Sequence, residues 1–404
     1  PAPRYHARNA AIMLASMHGA RTLLGSATPS LDSFYNAKTR KYGLVTLRER
    51  YGSTLIPQIH IVDVKTLRRK KIMKETLFSP LLREKIDEAL THGRQVILFQ
   101  NRRGFSPRIE CEDCHYVPQC INCDVSLIYH KRQNVLRCHY CGYTASLPTE
   151  CPQCHSTNIK MHGFGTEKIE EDLQLMLPKA RVARLDLDTT RSRNEYQGIL
   201  ERFQDRETDI LVGTQMVTKG LDFDSVKVVG ILNADNMLSF PDFRAHERSF
   251  QLMAQVAGRS GRKGEQGKVV IQTYEPSHPV LQDVLRNDYK GLYEKQMAIR
   301  RQFSYPPYYR LVLIRLKHKD YEKLNPAAAA LANMLRPIFQ KDLLGPEYPV
   351  VSRVRNQYIK QILIKFRRDQ SVKRFKELIN SQIHIFLHDA QYKSITIQVD
   401  VDPM

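Results

Sequence analysis

The stretch Asp209-Ile210-Leu211-Val212-Gly213-Thr214-Gln215-Met216-Val217-Thr218-Lys219-Gly220-Leu221-Asp222 decides the fold. Three apolar residues make a short buried strand, and Gly213 and Thr214 break it into a polar loop. Working outward, similar strands are expected at 95–99, 182–185, 226–232 and 269–274. Helical patterns fall between and beside them at 81–92, 166–176, 193–203, 245–256 and 280–300. Such alternation argues for an α/β lobe, a parallel sheet with helices on both faces. Upstream, 59–64 alternates like an edge strand, 21–30 reads as a short strand entering a loop, 31–39 as a helix, and Arg68-Arg69-Lys70-Lys71 as a linker. After Tyr305-Pro306-Pro307-Tyr308 the pattern changes to strand, helix, strand, helix, strand, a small α+β domain.

All eight cysteines lie between Cys111 and Cys154, as four Cys-x-x-Cys knuckles: Cys111/Cys114, Cys120/Cys123, Cys138/Cys141 and Cys151/Cys154. A knuckle presents two thiolates on one tight turn, and two knuckles complete a tetrahedral zinc site. Segments 125–130 and 135–137 flank a polar turn at 131–134, so a hairpin brings the second and third knuckles together. The first and fourth then close an outer site. The expected pairing is nested, Cys111, Cys114, Cys151 and Cys154 in one site and Cys120, Cys123, Cys138 and Cys141 in the other; the alternative is sequential. With eight thiolates filling two closed sites, His115, His139 and His155 read as surface or supporting groups. Spacing alone does not separate zinc from iron–sulfur ligation, although paired knuckles favour zinc. Clustered cysteines also speak against a secreted disulfide scaffold.

The 404 residues carry 62 Lys and Arg against 42 Asp and Glu, a formal charge of +20 that favours a polyanionic partner. No apolar run approaches the roughly 20 residues that span a bilayer, so a membrane is not expected. Residues 305–404 hold seventeen Lys and Arg against nine Asp and Glu. Many are concentrated between Arg353 and Lys376, including Arg355, Lys360, Arg367 and Arg368. Tyr305, Tyr308, Tyr309 and Tyr358 offer faces for base stacking. The pattern reads as sequence-independent binding of DNA phosphates, weakening with salt.

Three further segments carry chemistry together. Gly25-Ser26-Ala27-Thr28 is a small hydroxyl loop. Gly213-Thr214 leads to Lys219-Gly220-Leu221-Asp222. Gln255-Val256-Ala257-Gly258-Arg259-Ser260-Gly261-Arg262 places two guanidiniums three residues apart, suited to a phosphate chain. In that order they resemble motifs III, V and VI of superfamily 2 helicases. Gln100-Asn101-Arg102-Arg103-Gly104-Phe105 after a strand, and four knuckles within the second lobe, narrow the resemblance to the C-terminal part of bacterial replication-restart helicases, the PriA family.

That resemblance implies a RecA-like helicase lobe 2 (75–304) with an inserted double zinc ribbon (108–157). It further implies a remnant of lobe 1 (1–74) and a C-terminal basic α+β DNA-binding domain (305–404). It implies an ATP-dependent 3′→5′ DNA helicase acting at stalled forks, with two structural Zn²⁺ and, in the full-length protein, ATP and Mg²⁺. Carried over by position, Arg262 is an arginine finger, with Arg259 and Gln255 beside it at the ATP phosphates. Gly220 and Asp222 lie by the nucleotide. Thr214, Gln215, Thr218, Lys219, Arg102 and Arg103 follow DNA, and Ser26 and Thr28 couple the lobes. The partners implied are forked and single-stranded DNA, primosome proteins, single-stranded-DNA-binding protein and the replicative helicase, in the bacterial cytoplasm at the nucleoid. Gly267-Lys268-Val269 lacks the phosphate-loop pattern, and Asp87-Glu88-Ala89-Leu90 sits in an amphipathic helix. The expectation is therefore that these parts lie upstream of Pro1 and that the fragment alone does not hydrolyse ATP. The competing readings are a non-catalytic zinc-ribbon adaptor that grips nucleic acid and an RNA helicase of the same superfamily.

Overall fold

Continuous apolar runs such as 96–99 have no polar face to show water, so they fold as strands covered on both sides. The computed structural model describes residues 5–403, apart from 48–54, 74–75, 101–107, 115, 124, 131–132, 163–165, 186–192, 215–222 and 261–265. It divides into two compact units, one of residues 44–118 and 148–294, the other of 1–43, 119–147 and 295–404. Elements are numbered along the whole chain.

The first unit is the lobe. Strands β1 (Gln58–Asp63), β2 (Gln95–Phe99), β8 (Val182–Leu185), β9 (Ile210–Gly213), β10 (Val226–Ile231) and β11 (Lys268–Thr273) form one parallel sheet ordered β1-β11-β10-β2-β9-β8. Alternate residues of β2 serve two cores. Ile97 and Phe99 pack toward α6 (Arg193–Gln204), α8 (Ala245–Ala257) and α9 (Pro279–Leu285). Val96 and Leu98 pack toward α4 (Pro80–Thr91) and α5 (Thr166–Met176). Short helices α3 (Val64–Arg69) and α7 (Asp235–Leu238) follow β1 and β10. A two-stranded ribbon, β3 (Arg108–Cys111) against β7 (Ile159–His162), completes the unit.

In the second unit, β12 (Tyr309–His318), β13 (Leu343–Glu347), β15 (Gln357–Arg367) and β16 (Thr396–Val401) form an antiparallel sheet ordered β13-β15-β12-β16. The two-residue β14 (Arg353–Val354) pairs with β15. Helices α11 (Tyr321–Phe339) and α12 (Val372–His388) bury one core against it. A small sheet, β4 (Ile128–His130), β5 (Val135–Arg137) and β6 (Thr144–Ser146), belongs here, as do α1 (Ala7–Met17) and α2 (Leu31–Lys38). The division falls within α10 (Tyr289–Gln302).

Several expectations change. Residues 58–73 do not go with a separate lobe remnant: β1 hydrogen-bonds along β11 from Gln58↔Lys268 to Asp63↔Thr273, and Ile59 and Ile61 pack on the lobe core. The supposed linker at 68–71 begins as the end of α3, whose first turn Asp63 caps by accepting from the Thr66 N–H at 2.9 Å. Residues 21–25 are exposed and form no strand, having no sheet neighbour to complete their hydrogen bonds. The expected helix 280–300 is two, because Asn287 turns left-handed (φ 53°) and Asp288 accepts from the Gly291 N–H at 2.8 Å to start α10. The cysteine-rich insertion is shared out, with 119–147 in one unit and 108–118 and 148–157 in the other.

Candidate metal centres and nucleic-acid interface

Each knuckle closes in the same way. The N–H of its first cysteine donates to the carbonyl five residues on: Cys111 to Tyr116, Cys120 to Val125, Cys138 to Tyr143 and Cys151 to Ser156, at 2.8–3.1 Å. Backbone N–H groups of Tyr140, Tyr143 and Gln153 point at Cys138, Cys141 and Cys151 Sγ, each at 3.4 Å, which favours thiolate there. In the lobe, the β3–β7 ribbon pairs Cys111 with Ile159 and so carries the first knuckle to the fourth. In the other unit, the β4–β5 hairpin carries the second to the third.

Two groups result. Cys111, Cys114, Cys151 and Cys154 form one; Cys120, Cys123, Cys138 and Cys141 form the other; within each, all four Sγ lie within 4.8 Å. The described cysteines therefore come together in the nested pairing and not the sequential one. Sulfur separations are 3.6 Å (Cys111–Cys154), 3.3 Å (Cys114–Cys151) and 3.6 Å (Cys120–Cys141). A tetrahedron with Zn–S of ~2.3 Å needs sulfurs about 3.8 Å apart. Both groups thus fit a four-coordinate zinc ion with modest expansion. Burial raises the Cys114 thiol, and hydrogen bonds from neighbouring thiols raise Cys123. A divalent cation would remove that penalty by taking thiolates.

The inner group is built into its unit. Tyr305 Oη donates to Cys123 O at 2.8 Å and Gln361 Nε2 to His139 O at 2.9 Å. Arg137 lies 3.6 Å from Glu347, whose carboxylate fills the space a Cβ on Gly142 would take. His139 is buried, with Nδ1 on the Tyr348 carbonyl, and burial lowers it to about 4. His155 is exposed, 3.8 Å from Glu150. Neither faces a metal position short of ligands, and His115 lies outside the described residues.

Of the helicase-like segments, Arg102, Arg103, Gln215, Thr218, Lys219, Gly220, Asp222 and Arg262 lie outside the described residues. Thr214 follows β9 and is buried. Gln255 is exposed on the last turn of α8, and Arg259 half-buried just past it. Ser26 and Thr28 share a loop in which Thr28 N–H donates to Ser26 Oγ at 3.2 Å. β2 and β9 are neighbours in register to Phe99↔Gly213, so Gln100 and Thr214 follow adjacent strands at the carboxyl edge of the sheet.

The basic surface is narrower than its sequence. Tyr305 is 1% exposed, and Lys365 is buried over its ring with Nζ on Phe303 O at 2.8 Å, so neither is available to DNA. Lys360 is half-buried 4.1 Å from the Tyr348 ring centre, and burial lowers it. Arg368 binds Asn36 Oδ1 at 3.2 Å, and Arg367 pairs with Asp369 at 2.9 Å. Arg355 is exposed. Asp87-Glu88 is surface on α4, with Glu88 held to about 2 by Lys268 and Lys85. Sequence reasoning missed Glu347 and Gln361, whose partners are more than 200 residues away and leave no local signal.

Residues 301–404 match the Primosomal protein N C-terminal domain, 120–145 the PriA DNA helicase Cys-rich region, and 155–264 the Helicase conserved C-terminal domain. Replication restart protein PriA of Bacillus subtilis is 40% identical over 403 residues, covering 99% of this chain and 49% of that protein. The Synechocystis protein of the same description is 38% identical over 419 residues (100% and 48%) and that of Treponema pallidum 37% over 404 (100% and 59%). The chain spans about half the length of these curated relatives. With likeness running through both units and both thiol groups, the chain belongs to the PriA family of replication restart proteins.

Proposed function

We propose that the chain is the carboxyl-terminal part of an ATP-dependent 3′→5′ DNA helicase that recognises stalled replication forks and promotes primosome assembly. The observation that carries this is the pairing of β2 with β9, whose last residues Phe99 and Gly213 stand side by side at the carboxyl edge of the parallel sheet, the edge at which α/β sheets bind ligands. Arg102, Arg103, Thr214, Gln215, Thr218 and Lys219 are assigned to the DNA backbone. Gln255, Arg259 and Arg262 are assigned to the ATP phosphates, Gly220 and Asp222 to the nucleotide, and Ser26 and Thr28 to coupling. Guanidiniums there would stabilise charge developing on the transferred phosphoryl group, with Mg²⁺ and the phosphate loop supplied by the rest of the longer protein.

Both thiol groups are proposed to hold structural Zn²⁺, since four sulfurs leave no position for water. Arg355 and Arg367, with Lys360 and Arg368 in supporting positions, are proposed to hold fork DNA. The proposed place of work is the bacterial cytoplasm; no helix among the described residues is long and apolar enough to cross a membrane. The primosome proteins, single-stranded-DNA-binding protein and replicative helicase remain proposed partners by family.

The test uses the longer protein. Fork-stimulated ATP hydrolysis should be lost in Arg262→Ala with fork binding kept, while the 404-residue chain alone binds forks without hydrolysis. Fork binding with no stimulated hydrolysis even in the unaltered longer protein would leave the adaptor reading.

A further inference from the structure

His92, His139 and His155 each lie against a carbonyl or a carboxylate, of Glu88, Tyr348 and Glu150 respectively. His384 and His388 do not. Both are exposed on α12, one turn apart, and among the described residues neither imidazole has a hydrogen bond or an ion pair. What each touches is the other: the ring centres are 4.4 Å apart and the planes cross at 62°.

The helix beneath them is fixed. Ile379 and Phe386 are buried from the inner face of α12, and the Phe386 ring stacks on Tyr392 at 4.4 Å. His388 is the last residue of the helix. Just beyond it, Asp389 accepts from the Gln391 N–H at 3.0 Å and from Gln391 Nε2 at 2.8 Å, starting a 3-10 turn over 390–392. The pair therefore stands on the final turn of a seventeen-residue helix, where the carbonyl end of the dipole favours positive charge.

Imidazoles at positions i and i+4 share one face of a helix and can chelate a metal ion between them. An ion about 2.1 Å from one nitrogen of each ring, holding the two at a right angle, sets the ring centres roughly 4.5 Å apart. The observed separation matches that angle, which octahedral and square-planar ions such as Ni²⁺ and Cu²⁺ adopt. A solvated polar face explains the exposure of either histidine and leaves their mutual approach unexplained. Asp389 is engaged by Gln391, and among the described residues only the two thiol groups bring three or more metal-binding side chains together. Two ligands thus come from the helix, and the other coordination positions are open to water or to a donor of another molecule.

We propose that His384 and His388 form a third metal site, an exchangeable two-imidazole chelate for a divalent transition-metal ion. It differs in ligand type from the two thiol groups and is independent of the proposed ATP chemistry.

The experiment titrates Ni²⁺ into the whole 404-residue chain, loaded with zinc and dialysed, by isothermal calorimetry, with zinc content measured before and after. About one Ni²⁺ per chain is expected, with zinc retained and hydrogen exchange slowed over 384–392. His384→Ala/His388→Ala should bind at least about tenfold more weakly. So should Ile385→His/His388→Asn, which keeps two imidazoles on the helix at adjacent positions that do not face each other. His18→Ala/His92→Ala removes two exposed histidines elsewhere and should bind as the unaltered chain does. All these positions are exposed, and circular dichroism checks that each variant folds. Absence of a nickel site overturns the proposal, as does unchanged binding in Ile385→His/His388→Asn or equal loss in His18→Ala/His92→Ala. Release of zinc in step with nickel uptake would put the nickel in a thiol group, and overturns it too.

Discussion

Around Cys111, Cys114, Cys151 and Cys154 the supporting contacts are short and near the surface, with Cys154 exposed and Ser156 Oγ donating to Asp113. Around Cys120, Cys123, Cys138 and Cys141 they reach far along the chain, to Tyr305, Glu347, Tyr348 and Gln361. Ligands, spacing and turn geometry are alike; the surroundings are not. The same knuckle chemistry has been used once to tie off a ribbon at the edge of the lobe and once as a piece of the interior of the other unit. A cysteine-rich insertion is therefore a poor guide to domain boundaries, because what the turns pack against decides their membership.

The largest expected effect tests that contrast directly. Metal analysis should give about two Zn per chain, falling to about one in Cys120→Ser/Cys138→Ser and also in Cys111→Ser/Cys151→Ser. Structural zinc contributes ~10 kcal/mol or more to the fold it closes. Hydrogen exchange in the inner-pair variant should rise across 309–401, whereas the outer-pair variant should loosen only 108–118 and 148–162. Loss of both metals in either variant would break the nested pairing.

Next comes an acid response of the lobe centred on His278. Burial, with the neighbouring His246 ring, holds His278 down to about 3, and its Nδ1 accepts from the Val280 N–H at 3.2 Å. Between pH 6.5 and about 3 the unfolded chain binds one proton more than the folded one. Stability is therefore full above the unfolded value and falls with pH by at most ~1.4 kcal/mol per pH unit. Chemical denaturation should show His278→Gln flattening this slope for the lobe and leaving the other unit unchanged.

Tyr305→Phe should cost about 1–3 kcal/mol by leaving the Cys123 carbonyl without its donor, seen as a lower Tm with both metals retained. An unchanged Tm would mean that the inner group does not lean on α10 and its following turn. Smallest is Glu88→Gln. Its carboxylate, paired with Lys85 and Lys268, is exposed on the surface of α4, and the Tm should not move measurably.

Most of the lobe was legible because buried parallel strands are written as apolar runs, as in Gln95–Phe99 and Ile210–Gly213. The nesting of the knuckles was legible because a hairpin is local. Partnerships across long stretches were not. Nothing around Gln58–Asp63 says that its neighbour is Lys268–Thr273, and nothing around Lys365 says that it will lie over Tyr305 instead of reaching for phosphate. Charge counted along a strand–helix pair overestimates the surface available to DNA, since most residues of β15 are buried.

The alternation of segments between the two units has a consequence for biosynthesis. The chain passes from one to the other at 43/44, 118/119, 147/148 and 294/295. The first forty residues and the β4–β5 hairpin therefore leave the ribosome long before the hundred residues that enclose them. Until then the sulfurs of Cys120, Cys123, Cys138 and Cys141 have metal as a companion but no Tyr305 or Gln361 to settle against. A product truncated before residue 295 would carry a finished lobe alongside an orphaned zinc hairpin, an obvious handle for chaperones and proteases.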